Sequence, residues 1–475
     1  MILPNNGKVV IIDDQPEDVI ELISALSREK VPFLHYKEMD LSDLPETPIE
    51  NVRLIFLDLE LLTDTYMSTK NITAPIKTRL SKILQPNTPY ALVIWSRKES
   101  DYKEALLTDF TGEFIEYKPV FYTSLPKADI IGKAGALNII KAELEKEILK
   151  FKSFNAFLVW ESIVNESAGK LTNDITRMYP LDEEWDTKTQ FLLYKLAFAY
   201  SGKAVNSFDS LKQLKKALYT LTMTFSDNIE NLIDKIKDDR FLDLVQNSPQ
   251  QIKSFTPIIN KLLLISESSD DNTQPGNLFF PLEKIEKESK ENDEFCKLST
   301  EKIQSSTKDD KKKAESLAGL KKNHSSKRQE LETKRDKLKK VSNEIINSAL
   351  NEGISDELSS SILKSAFAIE IVVTPMCDYA QVKTKLSRIL PGIIVPSKYR
   401  INLNVNPAYV YISDADIKIN SVDSLFIFDF RFLYSKDNSH LKGYETSMRL
   451  KQQFLSDIQI KLGAHVNRSG ILYVS

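Results

Sequence analysis

Lys8-Val9-Val10-Ile11-Ile12-Asp13-Asp14 is an apolar run that ends in two carboxylates. Leu54-Ile55-Phe56-Leu57-Asp58 is a second such run, ending in a third carboxylate. Ala91-Leu92-Val93-Ile94-Trp95-Ser96 ends in a hydroxyl, and Phe114-Ile115-Glu116-Tyr117-Lys118-Pro119 ends in an amine. Short, wholly apolar runs bounded by polar residues read as strands buried on both faces, which is the pattern of a parallel sheet covered by helices. Helical spacing between the runs supports this. Pro16-Glu17-Asp18 opens a helix to about Ser27, with proline and acidic residues suited to a first turn. Ile72, Ile76, Leu80, Ile83 and Leu84 mark another helix, a third lies near 100–108, and residues 130–151 form a long last one. Further strands are expected at Phe33–Tyr36 and at 113–117. In such a sheet, ligands bind outside the carboxyl ends of the strands. Asp13, Asp14, Asp58, Ser96 and Lys118 are therefore expected to converge.

These residues carry a resemblance. The first 150 residues resemble the CheY-like receiver domain of bacterial response regulators. That family has an acidic pair after strand one, a phosphoacceptor aspartate after strand three, Ser or Thr after strand four, and Lys-Pro after strand five. The resemblance implies that Asp58 accepts a phosphoryl group from a histidine kinase, and that Asp13, Asp14 and Asp58 hold Mg²⁺ with a backbone carbonyl near Glu60. It implies that Lys118 pairs with a phosphoryl oxygen and that Ser96 hydrogen-bonds another. The roles are chemically apt, because Mg²⁺ takes hard oxygen ligands and a carboxylate is a competent nucleophile toward phosphorus. The long gap from Asp58 to Ser96 implies an insertion near 60–75. Arg97, where the family has a small residue, and Ile115, where it has an aromatic one, imply an altered readout.

The whole chain has 475 residues, enough for two or three domains. A hydrophobic fraction of 41%, with 28% charged residues, describes a globular protein, and a net charge of -3 gives no general attraction to nucleic acid or anionic membrane. No apolar run approaches a membrane span, and no signal peptide is evident. Only Cys296 and Cys377 occur, which excludes a disulfide framework and suits the cytoplasm. His35, His324, His440 and His465 are scattered, which argues against a histidine-based metal site.

The expected architecture is an α/β doubly wound domain over 1–150, an α-helical domain over 151–280, a charged helical arm over 281–365 and a small C-terminal mixed β domain over 366–475. In the second segment, Phe157, Trp160, Ile163, Val164, Ala168 and Leu171 mark one amphipathic helix. Leu211, Leu214, Leu218, Leu221 and Phe225 mark another, either bundle core or a homodimer seam. Helices are also expected at Ile252–Phe255 and Ile258–Ile265. In the arm, Leu317, Leu331, Leu338 and Ile345 share a heptad position, but Arg328 and Arg335 fall on the neighbouring seam, so this is a poor coiled coil. Its interleaved acids make the arm a solvated face rather than a nucleic-acid binder. Strands are expected at 369–374, 400–405, 409–412, 424–430 and 471–474, with a helix at 444–462. Cys377-Asp378 reads as a small buried cysteine in a turn more readily than as a nucleophile, for which His465 would be the candidate base. Asp429 and Arg431, with Arg449 and Arg468, read as buried ion pairs more readily than as an anion pocket.

The functional expectation is a phosphoacceptor in a bacterial two-component-type system, of the kind found in antiphage defence, acting as adaptor or phosphate buffer. The alternatives are a degenerate receiver used as a scaffold, and an effector enzyme with its site in the C-terminal domain. Membrane and nucleic acid are not expected partners, and a helix-turn-helix output is not evident.

Overall fold

The computed structural model of the chain describes residues 8–37, 41–59, 69–96, 104, 106–133, 136–236, 255–268, 271–306, 309–383, 385–404, 408–441 and 443–466. The chain divides into two compact units, Met1–Leu192 with Leu218–Pro249, and Leu193–Ala217 with Gln250–Ser475. Among the described residues, no helix is long and apolar enough to cross a membrane.

The N-terminal unit is built on five strands, β1 (Lys8–Ile12), β2 (Phe33–Tyr36), β3 (Val52–Leu57), β4 (Ala91–Ile94) and β5 (Phe121–Ser124). They form one sheet in the order β2-β1-β3-β4-β5, and every pairing is parallel. This is the order of a doubly wound sheet, whose ligand crevice lies where the strand order reverses, between β1 and β3. The alternation of side chains along each strand explains the apolar runs. Val9, Ile11, Leu54, Phe56 and Val93 face one layer with Leu22 and Leu26 of α1 (Ile20–Arg28). Val10, Ile12, Ile55, Leu57 and Leu92 face the other, with Ile76 and Leu80 of α2 (Thr69–Ile83). Both faces are buried, so β1, β3 and β4 are apolar along their length apart from Lys8 and Arg53 near the amino ends of β1 and β3.

Strand five differs from expectation. Residues Ile115–Tyr117 form a 3-10 turn, and β5 begins only at Phe121. The aromatic residues of the expected strand serve another purpose. Phe110, Phe114 and Tyr117 stack in series, with centroids 5.9 and 4.4 Å apart, and the Tyr90 hydroxyl donates to the Tyr117 carbonyl at 2.7 Å. Proline 119 then withholds the N–H that a ladder would need there.

The last helix of this layer also breaks. α3 (Ala136–Lys150) is followed by α4 (Lys152–Thr176), with Phe151 between them in a non-helical conformation. Phe154 and Leu158 of α4 complete the sheet's core, and Arg53 Nη2 on β3 reaches Glu161 Oε1 at 2.6 Å. Phe157 and Trp160, expected on the buried face, are instead 68% and 53% exposed. Beyond lie α5 (Trp185–Ser201) and α6 (Ser210–Ile233). The expected apolar seam of α6 is largely open, with Leu211 62% and Leu218 49% exposed. Of the helix expected at 252–255, all but the last residue lies outside the described residues; the one at 258–265 is α7 (Thr256–Leu264).

The C-terminal unit carries a nine-stranded sheet whose pairings are all antiparallel among the described residues, which fits the expected C-terminal β domain. Its strands are β6 (Ile265–Ser266), β7 (Asn277–Phe279), β8 (Phe367–Val372), β9 (Leu386–Pro396), β10 (Val410–Ile412), β11 (Ile417–Ile419), β12 (Val422–Asp429), β13 (Tyr434–Asp437) and β14 (Thr446–Leu450). Between β7 and β8 run α8 (Pro281–Ser305), α9 (Asp310–Ala349) and α10 (Asp356–Ser365). The first two pair as a hairpin. Its shared end is capped by Asp309, whose side chain accepts from Lys312 N, and α9 alone spans about 60 Å at 1.5 Å per residue. Its base is apolar and buried, where Ile345, Ile346 and Ala349 pack on Ile393, Val395 and Leu425 of β9 and β12, and Leu331 midway along it is buried as well.

Two expectations fail here for one reason, that local pattern was outweighed by tertiary pairing. Residues 400–405 alternate like a strand, yet Ser397–Asn402 is a 3-10 turn with Leu403 bridging to Leu350. Residues 446–450 are strand β14 rather than the start of a helix, and the helix is α12 (Gln452–Val466), after the short α11 (Met376–Ala380). The strand expected at 471–474 lies outside the described residues.

Candidate functional site

Asp13 and Asp58 are the first residues past β1 and β3, and ladder hydrogen bonds fix their backbones. Asp13 N donates to Tyr36 O at 3.2 Å, and Asp58 N donates to Ile12 O at 3.0 Å. The two side chains therefore emerge side by side at the carboxyl edge, flanking the reversal of strand order. Asp13, Asp14 and Asp58 each place a carboxylate oxygen within 4.8 Å of the others. Asp13 and Asp58 are buried and Asp14 is partly exposed, so the cluster opens to solvent on the Asp14 side. Ser96, buried, sits just past β4 on the same edge.

The lysine that reaches this cluster is Lys127, not Lys118. Lys118 is exposed and lies ahead of β5, where Val120 N bonds Tyr90 O at the amino edge of the sheet. Lys127 follows β5, on the edge that carries the acids. Leu125 N donates to Ile94 O at 2.9 Å and Lys127 N to Ser96 O at 3.4 Å, which carries the chain across β4 before it turns. Its ammonium lies 2.8 Å from Asp13 Oδ2 and 3.2 Å from Asp18 Oδ2, and it donates to Asp58 Oδ2. Only 1% of its side chain is exposed. Asp18 is thus a further member of the site, besides being an acid in the first turn after β1.

The electrostatics follow from the count of charges. Four carboxylates, those of Asp13, Asp14, Asp18 and Asp58, face one ammonium. Burial pushes the Asp13 carboxyl up to about 6, with the charge of Asp58 adding to it, against the opposing pull of Lys127 and the Gln15 N–H. Burial works to lower the Lys127 pKa, but the field of Asp58 and the bonds to Asp13 and Asp58 outweigh it, and the net shift is upward. Lys127 is therefore a permanent cation that offsets only part of the negative charge. The remaining excess, presented by hard carboxylate oxygens close together, fits a divalent cation at Asp13, Asp14 and Asp58. Glu60 and Arg97, drawn into the site by the sequence reading, lie outside the described residues. Ile115 is 60% exposed in the turn before β5 and is not part of the cluster.

The sequence before Lys127 carries a strand signal of its own. Phe121-Tyr122-Thr123-Ser124 is rich in β-formers and runs into Leu125-Pro126-Lys127. The aromatic string just before it, Phe114-Ile115-Glu116-Tyr117, carries at least as strong a local strand pattern.

In the C-terminal unit, Cys377 is exposed rather than buried, and its Sγ lies 3.7 Å from Asp378 Oδ1. His465 packs on the Phe430 ring, with centroids 5.8 Å apart. Asp429, fully buried, accepts from Arg431 Nη2 at 2.6 Å, and the guanidinium lies 3.9 Å from the Tyr409 ring centroid. That pair is the ion pair expected of Asp429 and Arg431; Arg468 lies outside the described residues. No protein-family model matches this chain, and no curated protein matches it.

Proposed function

We propose that the N-terminal unit is a receiver-like phosphoacceptor, with Asp58 taking a phosphoryl group from a histidine kinase or a related signalling donor. The reading is supported by one observation above all: the separate strand ends of a parallel sheet bring Asp13, Asp14, Asp58, Ser96 and Lys127 to one edge, at the reversal of strand order. An Asp58 carboxylate oxygen attacks phosphorus, the P–N bond to the donor histidine breaks, and the nitrogen lone pair takes up a proton. Mg²⁺ held by Asp13, Asp14 and Asp58 would neutralise charge on the incoming group. Lys127 exchanges its bond to Asp58 for one to a phosphoryl oxygen, which suits a point charge. The Ser96 hydroxyl donates to a second oxygen. In a two-component-type system, including one used in antiphage defence, such a unit serves as adaptor or phosphate buffer.

A second reading, a degenerate receiver used as a scaffold, is favoured by the burial of Asp58, which is 2% exposed and held by Lys127. Incubation of the full chain with phosphoramidate and Mg²⁺, followed by intact-mass measurement, separates the two. The acceptor reading expects one hydroxylamine-labile phosphate, lost in Asp58→Asn and on chelation of the metal. An unmodified chain under all conditions leaves the scaffold.

A further inference from the structure

The C-terminal unit holds a second polar cavity with no counterpart in the acceptor chemistry. It is partly open, of about 510 Å³ including its mouth, and is bounded by the first turns of α6, the turn at Asp271–Thr273, α11 and the start of β9. We propose that it binds a phosphate-bearing small molecule through Lys212 and Lys216.

The two lysines stand four residues apart on α6, so they share one face of the helix. Lys212 is exposed at the mouth, with its ammonium 4.2 Å from the Phe208 ring centroid. Lys216 is 5% exposed, and its ammonium sits 4.8 Å from the centroid of Tyr379 and 5.2 Å from that of Tyr200. Two aromatic faces therefore fix the position of this ammonium at the cavity wall.

The lining's hydrogen-bond accounts show which ligand suits it. Its acceptors are already engaged. Asp271 Oδ1 accepts from Thr273 N at 3.0 Å and from Thr273 Oγ1 at 2.6 Å, while Oδ2 accepts from the Tyr379 hydroxyl at 2.9 Å. Asp378 is paired with Lys383 at 3.3 Å. The donors are not exhausted. Thr374 Oγ1 accepts from Arg388 N at 2.8 Å, which leaves its own O–H to give. Asn438 Oδ1 accepts from Ser387 Oγ at 2.7 Å, which directs its amide NH₂ elsewhere. Two ammoniums, with hydroxyl and amide donors beside them, face carboxylates that are already engaged, which makes the cavity an acceptor's complement. Donors arriving from several elements suit a tetrahedral group with three acceptor oxygens better than a planar carboxylate.

The test is calorimetric titration of the full chain with sodium pyrophosphate in EDTA at constant ionic strength. Asp58→Asn is the background, so that the N-terminal site does not report. Saturable binding is expected, with affinity falling about tenfold in Lys212→Gln, the loss of one charge-assisted contact. Lys216→Met is expected to weaken it further, with unchanged circular dichroism. Lys212→Gln, at an exposed position, keeps the test decisive if the buried variant fails to fold. Absence of saturable binding, undiminished binding in Lys212→Gln, or equal affinity for citrate would each overturn the proposal.

Discussion

Lys127 is one ammonium held among carboxylates from two separate stretches of the chain, and its removal should be the most damaging single change in the N-terminal unit. Lys127→Met leaves Asp13 and Asp58 buried without their counter-cation. Breaking a buried ion pair from one side costs roughly 3–5 kcal/mol. Lys118→Gln, at an exposed position, should stay within about 0.5 kcal/mol of the parent. Urea titrations of both variants check the assignment, and a reversed ranking would restore Lys118 to the site. Asp13 adds a pH signature. Its folded pKa of about 6 stands above the ordinary 3.8, so between those values the folded state holds the proton that the unfolded state has lost. Stability contributed by this group is present at low pH and declines as pH rises through that window, by on the order of 1–3 kcal/mol. In metal-free buffer, Asp13→Asn should flatten that decline, which denaturation curves at pH 4.5 and 7 would measure.

At the scale of elements, β9 shows how a strand can hide. Leu386-Ser387-Arg388-Ile389-Leu390-Pro391-Gly392-Ile393-Ile394-Val395-Pro396 contains Pro391-Gly392, a pair that reads as a turn. The strand runs through it, because pairing with both β8 and β12 supplies the ladder. Gly392 is there for space: a Cβ at this position would lie 2.3 Å from Phe428 Cδ1 and 2.7 Å from the Ile427 carbonyl oxygen. Gly392→Ala should therefore destabilise the C-terminal sheet by about 1–3 kcal/mol, the usual cost of overpacking. Thermal melts would check this, and an unchanged midpoint would show that Phe428 can move aside.

At the scale of the molecule, the two compact units have separate cores. Trp95, Trp160 and Trp185 all fall in the N-terminal unit, so tryptophan fluorescence reports that unit alone. Lys127→Met should lower the fluorescence transition and leave the C-terminal one in place, and Gly392→Ala should do the reverse. Coincident shifts of both would mean that the units unfold as one.

The same division separates what local sequence could show from what it could not. β1, β3 and β4 were legible because strands buried on both faces must be apolar throughout, and a strand's polar successor then marks its end. Asp13, Asp14, Asp58 and Ser96 followed directly from that rule. β5 is short, and its outward residue Tyr122 is 42% exposed, so its pattern was weaker than that of the aromatic turn before it. The choice between Lys118 and Lys127 depended on where that strand begins, and only the ladder to β4 fixes this. The C-terminal sheet was legible in part, since β6 and β7 come from residues before the helical hairpin and pair with strands far along the chain. Long-range pairing leaves little local trace, because the energy of a ladder depends on the partner strand as much as on the strand itself. By itself the sequence determined the doubly wound sheet and three carboxylates at its edge. The tertiary structure decided which lysine answers them, and assembled the cavity of Lys212 and Lys216 from segments whose proximity no local pattern records.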